Sequence, residues 1–197
     1  MNLFILIVSK TNALLSKIYT VICKYKSGLS VGKNTKIFFR SQLFFRGGVI
    51  EIGKNVLIGR SRYGYHASMP FYTTLFVESG GKVTIGNNTR VNGAYIHARN
   101  SISIGNNCLF ASGINLLDCN GHETYSIDRT KGTDTAEPIV LGNNVWVGIN
   151  STILKGTKIG DNCIVAAGSV VKGNFPANVI IQGNPAKIVK EISLETI

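Results

Sequence analysis

From Leu141 to Val171 an aliphatic residue recurs at every sixth position: Leu141, Val147, Ile153, Ile159, Val165 and Val171. Four residues after each of the first five stands a small side chain: Val145, Ser151, Thr157, Cys163 and Ser169. Side chains repeat about every 3.6 residues on a helix and every second residue on a strand, so neither element has this rhythm by itself. A short fixed period predicts units that stack on one another. The same grammar returns in Val31-Gly32-Lys33-Asn34-Thr35, Ile52-Gly53-Lys54-Asn55-Val56, Ile85-Gly86-Asn87-Asn88-Thr89 and Ile104-Gly105-Asn106-Asn107-Cys108, so the repeat covers most of the chain. Three hexads are expected to close one triangular coil, with the aliphatic and small residues pointing inward. Glycine and asparagine suit the corners because they adopt left-handed backbone angles at low cost. Successive coils then lie roughly 4.8 Å apart as parallel ladders.

Two segments break the period, Arg60 to Thr74 and Leu117 to Pro138, and both are rich in polar, aromatic and turn residues. They are read as loops thrown out of the coil, where a regular scaffold tends to carry function. Ahead of the repeat, Leu14, Ile18, Val21 and Tyr25 fall at helical spacing while Lys10, Lys17 and Lys24 recur on another face. Residues 3–26 therefore read as a basic amphipathic helix. The chain divides into a helical segment, 1–27, and a coil domain, 28–197, with loops 60–74 and 117–138 and a C-terminal tail. The run Leu3 to Val8 falls short of the roughly 20 apolar residues needed to span a bilayer. It also lacks a basic start and a small-residue cleavage site, so a signal peptide is not expected. Packing on the coil, packing on a neighbouring subunit and membrane contact all stay open for this helix.

Within Ile104 to Ile192, the motifs Val145-Trp146-Val147-Gly148, Ala167-Gly168-Ser169-Val170-Val171 and Gly183-Asn184-Pro185-Ala186-Lys187 resemble the hexapeptide-repeat acyltransferases of the sugar O-acetyltransferase type. Before Ile85 the resemblance is to the repeat grammar alone. It implies an all-β fold, a left-handed parallel β-helix of hexapeptide repeats with a short N-terminal helix and a protruding catalytic loop. That hand is an exception to the usual right-handed crossover and comes from the resemblance alone. Also implied are acetyl-CoA as acyl donor, a sugar or glycan hydroxyl as acceptor in a surface-polysaccharide pathway, no metal, and a homotrimer.

Charge changes the picture at the N-terminal third. The net charge is +11, and eleven lysines and arginines precede His66 against the single acid Glu51. Such asymmetry points to a polyanionic neighbour, with anionic lipid and an acidic glycan as candidates and a plain solvated surface as the bland alternative. Nucleic acid is not expected, since no helix-turn-helix, zinc-finger or RNP motif is present. The four cysteines, Cys23, Cys108, Cys119 and Cys163, form no disulfide framework. Cys108 and Cys163 take the small inward position of their hexads. The default location is cytoplasmic, with the inner face of the membrane open to the basic N-terminus.

The chain has three histidines, His66, His97 and His122. His122 lies in the second loop, within Asp118-Cys119-Asn120-Gly121-His122-Glu123, where packing does not call for an imidazole. A neutral imidazole is suited to removing a hydroxyl proton near pH 7, and the resemblance implies that role for His122. Asp118, Asn120 and Glu123 are candidates to orient it. Trp146, the sole tryptophan, lies between two inward valines and must point outward, where a subunit contact is one reading. The resemblance implies instead, or in addition if the site lies between subunits, that it stands beside the transfer site, and that Asn92, otherwise a turn residue, binds the acceptor hydroxyl. The resemblance further implies that Gly148, Ala167, Lys172, Asn184, Lys187 and Lys190 hold coenzyme A, small residues admitting the pantetheine arm and lysines meeting phosphates as point charges. His97 stands where the hexad after Val91 expects an aliphatic, either lining the acceptor pocket or disturbing the coil.

Three alternatives stand beside direct transfer. Cys119 could form an acetyl-cysteine, although no base other than His122 is expected near its thiol. The three histidines raise a γ-class carbonic-anhydrase-like zinc site, but their spacings are not multiples of the coil and no pair lies five apart. A non-catalytic β-helix serving in assembly would need neither His122 nor the coenzyme-type tail.

Overall fold

A computed structural model describes residues 3–61 and 70–193. Arg62 and His66 lie outside the described residues, as does most of the first expected loop. A helix, α1, spans Leu3–Lys24. It is followed by short strands that wind around a triangular prism. The first face stacks strands 29–31, 49–52, 82–85, 101–104, 139–141, 158–159 and 174–175. The second stacks 36–37, 57–58, 90–91, 109–110, 146–147, 164–165 and 179–183, and the third 42–45, 74–77, 94–98, 114–117, 152–154 and 170–171. Every one of these pairings is parallel; strand 186–191 alone turns back antiparallel on 179–183 and closes the stack.

The interior is the column that the hexads predict. Leu141, Val147, Ile153, Ile159, Val165 and Val171 are all buried, as are Val145, Ser151, Thr157, Cys163 and Ser169. Each aliphatic sits on its counterpart in the next coil, and side chains alternate in and out along the parallel strands, as in 49–52, 82–85 and 94–98. Asn34, Asn55, Asn88, Asn107, Asn144, Asn162 and Asn178 turn the first corner at φ between 55° and 63°. Their amides bond coil to coil, as in Asn88 Nδ2 to Asn107 Oδ1 at 3.1 Å and Asn144 Nδ2 to Asn162 Oδ1 at 3.1 Å.

The same ladder measures the insertions. A step of 18 residues separates Asn144 from Asn162, but 33 separate Asn55 from Asn88 and 37 separate Asn106 from Asn143. The surplus falls in the two segments where the period breaks. His97 does not disturb the coil. Ile96 and Ala98 point inward and His97 outward, because the corner at Asn92–Gly93 is one residue shorter than a full hexad.

Truncating one rung tests the column. Ile153 is fully buried, and Ile153→Ala is expected to lower unfolding stability by about 2–5 kcal/mol, the range for cavity-forming substitutions, read as a lower urea midpoint with unchanged slope.

Candidate functional site

Along the outside of the second face, Leu57, Arg90, Leu109, Trp146 and Ile164 stand in register on successive coils. They floor a groove of about 650 Å³. Arg60 and Arg90 belong to its N-terminal coils, and Gly148, Ala166 and Ala167 to its C-terminal coils. Asn92 and Ala111 line the corner towards the third face. Four predicted site residues, Asn92, Trp146, Gly148 and Ala167, thus come together.

Trp146 is 50% exposed, its indole outward as strand parity requires. Gly148 allows two coils to approach: a Cβ there would lie 2.6 Å from the backbone nitrogen of Ala167. Asn92 is buried, and its amide nitrogen donates to the Phe110 carbonyl at 3.4 Å. Among the described residues its Oδ1 is buried without a partner. An unpaired buried acceptor is costly, so this atom is poised to receive a donor from a molecule in the groove.

His122 is exposed and does not line the groove. Its loop leaves from the corner between the third and first faces, whereas the groove lies on the second face and the corner beyond it. None of the three residues expected to orient His122 is bonded to it. The Asp118 carboxylate is fully buried and accepts the backbone N–H groups of Arg99 at 2.9 Å and Asn100 at 2.7 Å. It caps a turn of the preceding coil. Asn120 donates its side-chain amide to Thr124 Oγ1 at 3.3 Å, and Glu123 accepts the N–H of Tyr125 at 3.3 Å.

The loop is instead held by residues that the sequence reading passed over. Both oxygens of buried Asp134 accept the N–H of Asn120, at 3.0 and 2.9 Å, and Lys155 Nζ donates to Asp134 at 2.8 Å and to the Thr135 carbonyl at 2.9 Å. Burial alone would raise the Asp134 carboxyl, but Lys155, the Asn120 N–H and Arg99 hold it below the ordinary value. The hydrogen bond to Asp134 in turn raises Lys155. Asp134 sits where the hexad period is interrupted, so no spacing marks it. Lys155 follows a regular strand and reads as one more outward cation.

Beside this anchor lies a second cluster. His97 Nε2 bonds Glu78 Oε1 at 2.7 Å, and Arg99 clasps the same carboxylate with Nε at 3.1 Å and Nη2 at 3.2 Å. Arg99 is the leading reason that the Glu78 carboxyl is held low. The other ring nitrogen of His97, Nδ1, stands 4.0 Å from Cys119 Sγ. The expectation that only His122 could act as a base near this thiol is therefore wrong, since His97 faces it from the neighbouring coil. Burial nevertheless pushes the thiol up, against the opposing pull of Arg99. Glu78, His97 and Cys119 also stand close enough together to hold a metal, although the one carboxylate among them is already paired with Arg99.

The C-terminal candidates lie apart from the groove. Lys172, Asn184, Lys187 and Lys190 are all exposed, the last two on the antiparallel closing strand. The three lysine ammonium groups and the Asn184 amide are absent from the lining of the groove.

The family model for bacterial transferase hexapeptide, six repeats, matches residues 138–173. The putative acetyltransferase YJL218W of Saccharomyces cerevisiae is 32% identical over 138 residues, which is 70% of this chain and 68% of that protein. The chain belongs to the hexapeptide-repeat acyltransferase family. Galactoside O-acetyltransferase of Escherichia coli K12 is 34% identical over 120 residues, 60% of this chain and 59% of that enzyme. The chain thus spans under two thirds of that relative's length. Among solved structures, the polySia-specific acetyltransferase NeuO superposes with a TM-score of 0.63 at 27% identity, covering 85% of this chain and 78% of its own. Left-handed winding comes with the family fold, as expected.

Asp134 provides the test of the loop anchor. A carboxyl held below its unfolded value contributes stability above that value and loses it as pH falls through the folded one. Protection of the Asn120 amide from hydrogen exchange is therefore expected to persist below about pH 3.9, the usual aspartate value. In Asp134→Ala that protection is expected to vanish at all pH values, while the column amides keep theirs.

Proposed function

We propose that the protein is an acetyl-CoA-dependent O-acetyltransferase acting on a hydroxyl of a sugar or glycan precursor. The observation that carries this reading is the groove, in which an apolar floor with Trp146 meets the unpaired Asn92 Oδ1. A hydroxyl bound there donates to Asn92, and the thioester lies along the small residues Gly148 and Ala167. The family relatives, a galactoside O-acetyltransferase and a polysialic acid O-acetyltransferase by name, support a sugar acceptor. Donor binding finds support in family structures solved with coenzyme A. In this reading Lys172, Asn184, Lys187 and Lys190 form the outer part of the donor site, the lysines meeting phosphates.

His122 removes the acceptor proton as the oxygen attacks the thioester carbonyl, and coenzyme A leaves as the thiol. The groove and His122 stand on different sides of one prism, which favours a homotrimer in which the loop of one protomer reaches the groove of its partner. Closed cyclic symmetry also covers the outward apolar face. A scattering mass equal to one 21.3 kDa chain would contradict it. The unpaired cysteines favour a cytoplasmic location, and the basic N-terminal third favours its membrane face.

Cys119 is the rival acyl carrier, now with His97 as its base. Its burial and raised thiol pKa favour direct transfer. Steady-state kinetics against a panel of sugars, sugar nucleotides and lipid-linked glycans separate the two. His122→Ala is expected to lose roughly 10²–10⁴ in kcat with acetyl-CoA affinity unchanged. Cys119→Ser should retain most activity, and Lys187→Ala with Lys190→Ala should raise the acetyl-CoA KM. A near-active His122→Ala, or ping-pong kinetics lost in Cys119→Ser, would overturn direct transfer. Release of coenzyme A with no acceptor in the panel would argue against a sugar.

A further inference from the structure

Helix α1 packs against the stack with its polar side. Towards the coil it turns Asn12, Ser16, Tyr19, Thr20 and the fully buried Cys23. Tyr19 Oη donates to the Ser41 carbonyl at 3.0 Å, Thr20 Oγ1 accepts the N–H of Ile37 at 2.8 Å, and Ser16 Oγ accepts that of Phe39 at 3.3 Å. At about 3.6 residues per turn these side chains share one side of the helix. Diametrically opposite run Ile7, Leu14, Ile18, Val21 and Ile22, each between 51% and 60% exposed, with Tyr25 at 86% just past the helix end. A helix that merely covered a core would be mounted the other way round.

Lys10, Lys17 and Lys24, all exposed, follow one another at intervals of seven and so form a single row along one edge of the apolar stripe. The helix contains no acidic residue. Lys26, Lys33, Lys36 and Arg40 extend the positive charge onto the first coil. An apolar stripe edged by lysines complements a surface that is apolar within and anionic at its rim.

The position of α1 agrees. It contacts strands 29–31 and 36–37, the first coil, and Cys23 joins the core there. Its stripe thus faces away from the start of the stack. No helix among the described residues is long and apolar enough to cross a membrane.

We propose that α1 is an in-plane docking helix for an anionic phospholipid bilayer. The stripe enters the head-group and acyl boundary, and the lysine row meets the lipid phosphates. The groove then opens about one helix diameter and one coil spacing, roughly 15 Å, from the lipid surface. That height suits a glycan carried on a lipid, a consequence that rests on the acetyltransferase reading; the docking itself does not. If the protein is the trimer proposed above, an axis parallel to the stack brings three stripes to one plane.

Flotation of the full chain with vesicles of phosphatidylcholine alone, or with phosphatidylglycerol added, tests the proposal without reference to activity. Wild type is expected to float with the anionic vesicles and far less with the neutral ones. Replacing Lys10, Lys17 and Lys24 together by glutamine should weaken partitioning roughly 10²-fold. Leu14→Glu with Ile18→Glu should abolish it, with melting temperature retained because these side chains are more than half exposed. Wild type that ignores anionic vesicles, or a glutamate variant that floats as well as wild type, would overturn the proposal. Glutamates that split the oligomer while wild type never floats would instead assign the stripe to contact between copies.

Discussion

The structure depends on aliphatic side chains stacking coil on coil inside a narrow prism. Each strand is only two to six residues long, so no coil could bury its apolar residues alone. Stacking supplies the missing partner surface and the backbone bonds together. It also fixes the facing of every other residue. Once Val145 and Val147 point inward, Trp146 must point out, and the register from Leu57 through Ile164 sets the floor of the groove without any further design.

Such a scaffold tolerates insertions only at its corners, since an extra residue within a strand would turn core side chains to solvent. Both long insertions obey this. The larger carries His122 and is tied back by buried charge: Asp118 caps the turn at Arg99, and Asp134 grips the Asn120 backbone with Lys155 as counter-ion. Fixed carboxylates on either side of Cys119-Asn120 convert a flexible excursion into a positioned one. Removing one partner would leave a buried charge unpaired, which makes the anchor stringent.

The column, its corners and the outward indole are legible from the period alone. The count breaks at residues 60–74 and 117–138, within the two long steps of the asparagine ladder. His97 was misjudged because one short corner shifts the register by a residue, and a hexad count cannot register that. The loop anchor stayed hidden for a different reason: Asp134, Lys155, Glu78 and Arg99 meet through tertiary contact across several coils, and each looks like an ordinary surface charge in sequence. Likewise the helical spacing of Leu14, Ile18 and Val21 was plain, whereas the side of α1 that packs on the stack depends on hydrogen bonds to Ser41 and Ile37.

In the proposed function, donor and acceptor meet in the groove floored by Trp146. Because Trp146 is the only tryptophan and is half exposed there, its fluorescence reports the groove alone. Titration with acetyl-CoA is expected to quench or shift that emission saturably, with the same midpoint as the heat of binding. Binding by calorimetry that leaves the emission unchanged would place the donor elsewhere and contradict the account.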